Sequence, residues 1–254
     1  MSRKFLLGQG ARRTMSPDNR QHRGSHPADG ELFGARSLPA LREAASELSW
    51  LLGRGYAIKS SVKLVGDRHG LTDRQRLAIS RAACSDEQKE RREKSRVTAD
   101  AARGAGLVID GFNLIITVEA ALGGGVLMVC RDGCLRDLSS VHGSYRSVAE
   151  TEAAICLVGE SLRAADIESA KWLLDKPISN SGRLRRRICD IASARGWPWA
   201  VEVVGNPDRE IIRSGRIAVT SDSIILDGVS RWINLSAHIV SEMLPRAWVI
   251  DLSI

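Results

Sequence analysis

No stretch of this 254-residue chain holds the roughly 20 consecutive apolar residues that a membrane-spanning helix needs, so no transmembrane helix and no membrane partner are expected. The basic start, MSRKFLLGQGARRT, has only Phe5, Leu6 and Leu7 as an apolar centre, too little for a secretory signal, and a cytoplasmic location is expected. Cysteine is sparse and odd in number: Cys84, Cys130, Cys134, Cys156 and Cys189 argue for reduced, mostly buried thiols, not a disulfide framework. Cys130 and Cys134 lack a second matching pair, which argues against a zinc site. No Lys-Ser/Thr follows Gly123–Gly124–Gly125, so there is no P-loop. No internal repeat is visible. What is present is ordinary for a globular chain, 43% apolar and 26% charged, and excludes a collagen-like, coiled-coil or wholly disordered protein. The net charge of +7 is a weak bias towards polyanions.

Three regions follow from the patterning. Residues 1–37 have almost no periodic apolar positions and read as a flexible tail, with six basic against two acidic residues up to Gly30. Residues 38–103 read as a small helical domain. Leu41, Ala44, Ala45, Leu48, Leu51 and Leu52 form one helix face, Ile58, Val62 and Val65 a second, and Thr72 with Gln75 a capping box for a third. The mixed charges of Ser85–Arg96 read as an exposed helix or linker. Residues 104–254 alternate short apolar runs with helical patterns, which implies an α/β fold with a mostly parallel sheet flanked by helices. Strands are expected at Leu107–Asp110, Val126–Cys130, Trp172–Asp175, Val201–Val204 and Ile217–Thr220, with a last edge strand at Trp248–Leu252. Ser147 with Glu150 predicts the cap of a long helix.

Ligands bind an open parallel sheet beyond the carboxyl ends of its strands. LVID ends in Asp110, WLLD in Asp175, Asp222 follows IAVTS, and Asp208 opens the helix after VEVV. Four carboxylates converging on one rim would raise one another's pKa and call for cations. Oxygen ligands without a His or Cys set suit Mg²⁺ or Mn²⁺. Each Asp also has a plain role as a turn or cap residue, so the conjunction carries the argument.

The segments VIDGFNLIIT (Val108–Thr117), NPDREII (Asn206–Ile212) and VTSDSIILD (Val219–Asp227) resemble the first strand, acidic helix start and Thr/Ser-x-Asp segment of PIN and NYN ribonuclease domains. Residues 38–254 further resemble an uncharacterised prokaryotic family, domain of unknown function 434, through LLGRGYAIKSSVKLVGDRHGLTDRQRLA, VHGSYR and LLDKPIS. The resemblance implies a PIN-like metal-dependent ribonuclease with nucleic acid, RNA, as its partner. Asp110, Asp208 and Asp222 map onto metal positions. The acid of a middle helix falls to Glu152 or Glu150, and Asp175 is the substitute from a neighbouring strand. The expected hairpin at residues 126–137 departs from a minimal PIN domain.

The chemistry expected at such a site is phosphodiester hydrolysis, with Asp110, Asp175, Asp208 and Asp222 as its catalytic carboxylates. Asn113 is expected to position ligand or water, with His142, Tyr145, Arg146, Lys176, Ser179 and Arg183 contacting substrate. The run Arg183, Arg185, Arg186 and Arg187 reads first as a solvated helix face and second as a phosphate-binding one. LVIDGF is also similar to the first motif of haloacid-dehalogenase-type phosphatases, but Phe112 stands where their second Asp belongs. LTDRQRLAI resembles helix-turn-helix entries, yet no polar recognition helix follows. Two other readings stay open: a non-catalytic nucleic-acid or effector binder on the same fold, and a DNA-binding regulator acting through residues 58–83.

Overall fold

The computed structural model describes residues 22–139 and 143–253. A short helix α1 (Asp29–Leu32) leads into four helices: α2 (Leu38–Gly53), α3 (Ile58–Arg68), α4 (Asp73–Ala82) and α5 (Asp86–Ser95). Thr72 and Ser85 each close a capping box, with Gln75 and Gln88, so α4 and α5 begin where their side chains satisfy free backbone N–H groups. After a 3₁₀ turn at Asp100–Ala102 come β1 (Gly106–Asp110), α6 (Gly111–Leu122), the hairpin β2 (Leu127–Val129) and β3 (Leu135–Asp137), α7 (Thr151–Ala164), β4 (Ser169–Asp175), α8 (Ser181–Arg195) and β5 (Trp199–Val204). The chain then adds α9 (Pro207–Arg213), β6 (Ile217–Val219), α10 (Ser223–Gly228), β7 (Trp232–Ile233), α11 (Leu235–Met243) and β8 (Val249–Asp251).

The large sheet has the order β5-β4-β1-β6-β7 and every pairing in it is parallel. Both faces are covered, which is why its strands read as continuous apolar runs. Leu107 and Ile109 of β1 share a core with α6, α7, α8 and α11, while Val108 points to the other face, against Ile211 of α9 and Ile225 of α10. The chain steps outward from β1 to β4 and β5, then returns to lay β6 on the other side of β1. Order therefore reverses at β1, and the gap between the carboxyl ends of β1 and β6 is the switch point at which such sheets bind ligands.

The helical front does not close a core by itself. Leu41, Leu48, Ala78 and Ile79 pack with Val126, Met128, Ile250 and Leu252 on one side of a second sheet, ordered β3-β2-β8. Its other side, through Leu127 and Leu135, meets Ala120 and Ala121 of α6 and Val240 of α11. The small sheet is thus the middle tier between the front and the large sheet, and α6 is buried along nearly its whole length.

Several sequence expectations are corrected. Of the expected tail, residues 1–21 lie outside the described residues, but residues 22–37 are packed: Phe33 is in the core of the front, and buried Asp29 accepts a 2.8 Å bond from Arg74 Nη2. Val249–Asp251 is an edge strand as expected, but of the small sheet, where it pairs with β2; the last strand of the large sheet, at one of its edges, is β7. Helix α7 starts later than the Ser147 cap implies: Glu150 occupies its N-cap without a side-chain cap bond, and Thr151 Oγ1 accepts the Val148 N–H at 2.9 Å.

Candidate metal centre at the carboxyl edge

Asp110 ends β1 and precedes α6, yet its carboxylate does not cap that helix. It accepts a 2.9 Å hydrogen bond from Thr220 Oγ1, in the loop after β6. The same hydroxyl oxygen accepts the backbone N–H of Asp222 at 3.0 Å, so one Thr joins the loop of Asp222 to Asp110. Gly111 lets the start of α6 pack closely on β4: a Cβ there would lie 2.5 Å from Leu174 Cδ2 and 3.0 Å from the Leu173 carbonyl oxygen. Asn113 Oδ1, one turn into α6, accepts from both the backbone N–H and the hydroxyl of Ser221, at 2.9 and 3.0 Å. That use of its oxygen leaves the amide NH₂ as its remaining donor group.

The other carboxylates arrive from separate elements. Asp222 caps α10, accepting from the N–H groups of Ile224 (2.8 Å) and Ile225 (3.3 Å). Asp208 lies in the first turn of α9, whose cap is Asn206 (2.9 Å to Arg209 N–H), so the capping role open to Asp208 belongs to its neighbour. Asp175 ends β4. All four are partly shielded from solvent. Burial, opposed by the Thr220 bond and reinforced by the charges of Asp222 and Asp208, raises the Asp110 pKa to about 7. Burial and then the charges of Asp222 and Asp175 push Asp208 up, and burial pushes Asp175 up. The structure therefore brings Asp110, Asp175, Asp208 and Asp222 into one electrostatic neighbourhood. Their donor atoms are all oxygens, the set suited to a hard divalent cation. They are not in mutual contact, however: among the described residues the group of three ligand-capable side chains with atoms within 4.8 Å of one another is Glu43, Glu47 and His69 on the front. Glu47 there is already paired with Arg68 at 3.2 Å and His69 at 3.0 Å.

Other expected site residues fall differently. Glu152 is exposed and paired with Arg187 at 3.1 Å, and Glu150 is paired with His22 at 2.6 Å, so neither middle-helix acid joins the aspartates. Tyr145 is corrected as a substrate contact: it is fully buried, its hydroxyl donating to Glu119 at 2.5 Å. Burial and the Glu119 charge raise its pKa well above that of a free phenol. Buried Arg23 also pairs with Glu119, so these groups form an internal polar knot. His142 lies outside the described residues. Arg146, Lys176, Ser179 and Arg183 are all exposed, with Lys176 directly after Asp175 and Arg183 in the first turn of α8. The arginine run is divided: Arg185 Nε donates to the Val201 carbonyl at 3.0 Å and Arg187 pairs with Glu152, while Arg183 and Arg186 face solvent.

Sequence reading missed the groups on the other side of Asp222. A cleft of about 280 Å³ opens there, with Arg81, Arg92, Asn113, Arg136, Asp137 and Asp222 in its walls. Behind it, Asp132 is clamped by Arg92 Nη1 and Arg136 Nη2, each at 2.7 Å. Burial alone would raise the Asp132 pKa, but the two guanidiniums hold it down at about 2. Arg92 also binds Asp227 at 2.8 Å. A buried arginine inside a solvated-looking charge run leaves no periodic signal. The i,i+4 spacing of Asp132 and Arg136 was the one available hint.

Comparison with known proteins accounts for both parts of the chain. The model described as Protein of unknown function (DUF434) matches residues 40–94 alone, which narrows the resemblance expected over residues 38–254. An uncharacterized protein of Methanocaldococcus jannaschii is 29% identical over 187 residues, covering 74% of this chain and 89% of that protein. No solved structure matches. The model described as Domain of unknown function (DUF5616) matches residues 99–238, just over half of the chain and all four aspartates, and the chain belongs to that family.

Proposed function

We propose that residues 104–254 form a PIN-like nuclease domain that hydrolyses RNA phosphodiesters with Mg²⁺ or Mn²⁺. The observation that carries this reading is the Asp110–Thr220–Asp222 linkage at the switch point, with Asp208 and Asp175 beside it and, among the described residues, no guanidinium or ammonium paired to Asp110. Carboxylates that raise one another's pKa without an internal partner are suited to a bound cation. Asp110, Asp222 and Asp208 would hold it. When bound, the cation supplies the charge that orients the scissile phosphate and activates a water. Thr220 fixes the rotamer of Asp110, and Asn113 fixes the loop that carries Asp222. Lys176, directly after Asp175, and Arg183, in the first turn of α8, are exposed and suited to the strand's flanking phosphates. The spacing of the carboxylates, none of them in a tight triad, favours a second reading in which the same fold binds RNA without cutting it.

The test is cleavage of an end-labelled single-stranded RNA with Mn²⁺ or Mg²⁺, with folded Asp110→Asn run beside the wild type. Metal-dependent cutting that vanishes in the variant is the expected result. Cutting that persists in the variant, or none by either protein across several RNAs, overturns the catalytic reading, and salt-sensitive binding without cutting would favour the second.

A further inference from the structure

The cleft beside Asp222 has two owners. Ser80, Arg81 and Arg92 come from the helical front, and Asn113, Arg136 and Asp137 from the α/β part. The first three lie in the segment matched by one family model and the other three in the segment matched by the other, so the cleft exists only where both are joined. Asn113 and Asp222 belong to the cleft and to the aspartate rim at once, which makes the two spaces continuous.

Its charge is close to balanced. Arg92 and Arg136 are bound from behind by Asp132, Arg92 also by Asp227, and Arg81 Nη1 donates to the Asp137 carbonyl oxygen at 2.5 Å. Each of the three guanidiniums thus already has an acidic partner, Asp132 and Asp227 for Arg92, Asp132 for Arg136 and Asp137 for Arg81 at 3.7 Å, so the positive charge of the walls is met within the protein. The walls also carry the hydroxyls of Ser80, Ser139 and Ser223 and the Asn113 amide, with Ile116 as an apolar contact. With the arginines already partnered, the hydroxyls and the amide beside Ile116 and Ala83 match a ligand with hydroxyls and a heterocyclic edge. A space of about 280 Å³ stands at the small end of ligand pockets, which suits one such unit and not a run of strand. The ion pairs behind the walls hold them in place without a ligand, which lowers the ordering cost of binding.

We infer that this cleft receives one ribonucleoside unit, sugar and base, of the strand whose phosphate lies at Asp110 and Asp222, and that the helical front is there to form its outer wall. The inference rests on the nuclease reading for the phosphate's position.

The full chain is titrated with adenosine, guanosine, cytidine and uridine by ligand-observed NMR, at low and high salt. The variants are Ser139→Trp and Ser80→Trp, plugs from opposite walls whose folding is checked by melting, and Asp110→Asn. At least one nucleoside is expected to bind the wild type and Asp110→Asn alike, with little salt dependence, and to bind both plugged variants about tenfold or more weakly. On RNA, the plugs raise KM and leave kcat nearly unchanged, whereas Asp110→Asn abolishes kcat. No nucleoside binding by the wild type, or equal binding by both folded plugs, overturns the inference. If no protein cuts RNA but the plugs still block nucleosides, the cleft assignment holds and the nuclease reading alone fails.

Discussion

Two groups of acid, one buried and one partly shielded, lie on either side of the loop at residues 220–223, and they are treated in opposite ways. Asp132, deep under the hairpin, is met by Arg92 and Arg136 at 2.7 Å and held at about 2. Asp110, at the end of β1, rises to about 7 chiefly through burial, with repulsion from Asp222 and Asp208 adding to it and the bonds from Thr220 and the Asn113 backbone opposing it. Both pay the cost of leaving water. The chain supplies the compensating charge for the first, and at the second we propose that a bound cation supplies it. The internal ion pair is architecture, whereas the aspartates at the sheet edge are the proposed site.

The contrast is broken most strongly by Asp132→Asn. It leaves two buried guanidiniums without their shared partner and is expected to destabilise the fold by about 3–5 kcal/mol in urea unfolding, since breaking a buried pair costs that much. A loss below about 1 kcal/mol would mean that the pair is dispensable. The pH dependence follows from the sign of the shift. Because the folded pKa lies below the unfolded value of 3.8, the contribution of Asp132 is fully present above that value and is lost as pH falls towards about 2. Acid unfolding of the wild type should show a component in that window that is missing from Asp132→Asn.

Asp110→Asn is expected to act in the opposite direction. A carboxylate whose folded pKa is raised contributes most below 3.8 and progressively less as pH rises through about 7. Above about pH 7 and without divalent metal, the neutral amide should therefore stabilise the protein by about 1–3 kcal/mol. A destabilised variant would show that the Thr220 bond outweighs the repulsion. The smallest effect sharpens the other side of the contrast: Ser85→Ala removes the cap of α5, the helix that delivers Arg92, and should cost about 1 kcal/mol.

Much of this contrast was legible from the sequence on one side only. LVID, WLLD and IAV announce themselves because strands covered on both faces must be apolar throughout, and the carboxyl edge is marked by an Asp that ends each of the first two runs and follows the third by three residues. The convergence of those ends follows from parallel pairing, which the alternation of strands and helices implies. The paired acids were hidden. Arg92 lies among Asp86–Ser95, where charge density looks like a solvated face, and its burial depends on α10 and the hairpin packing against it. Residues 22–37 were hidden for a similar reason: Phe33 and Asp29 are single anchors, and single anchors have no period. Tyr145 sat in a loop segment suggestive of substrate contact, but its partners Glu119 and Arg23 are distant in sequence. β7 is two residues long, too short for any pattern to register.

The central claim is that Asp110 and its neighbours await a cation that the chain does not replace. Thermal unfolding with and without Mn²⁺, above about pH 7, tests it most directly in the wild type and Asp110→Asn. Binding to the folded state alone predicts a midpoint that climbs with Mn²⁺ concentration in the wild type and stays flat in the variant. An equal response of both proteins, or none by the wild type at saturating Mn²⁺, would contradict the claim.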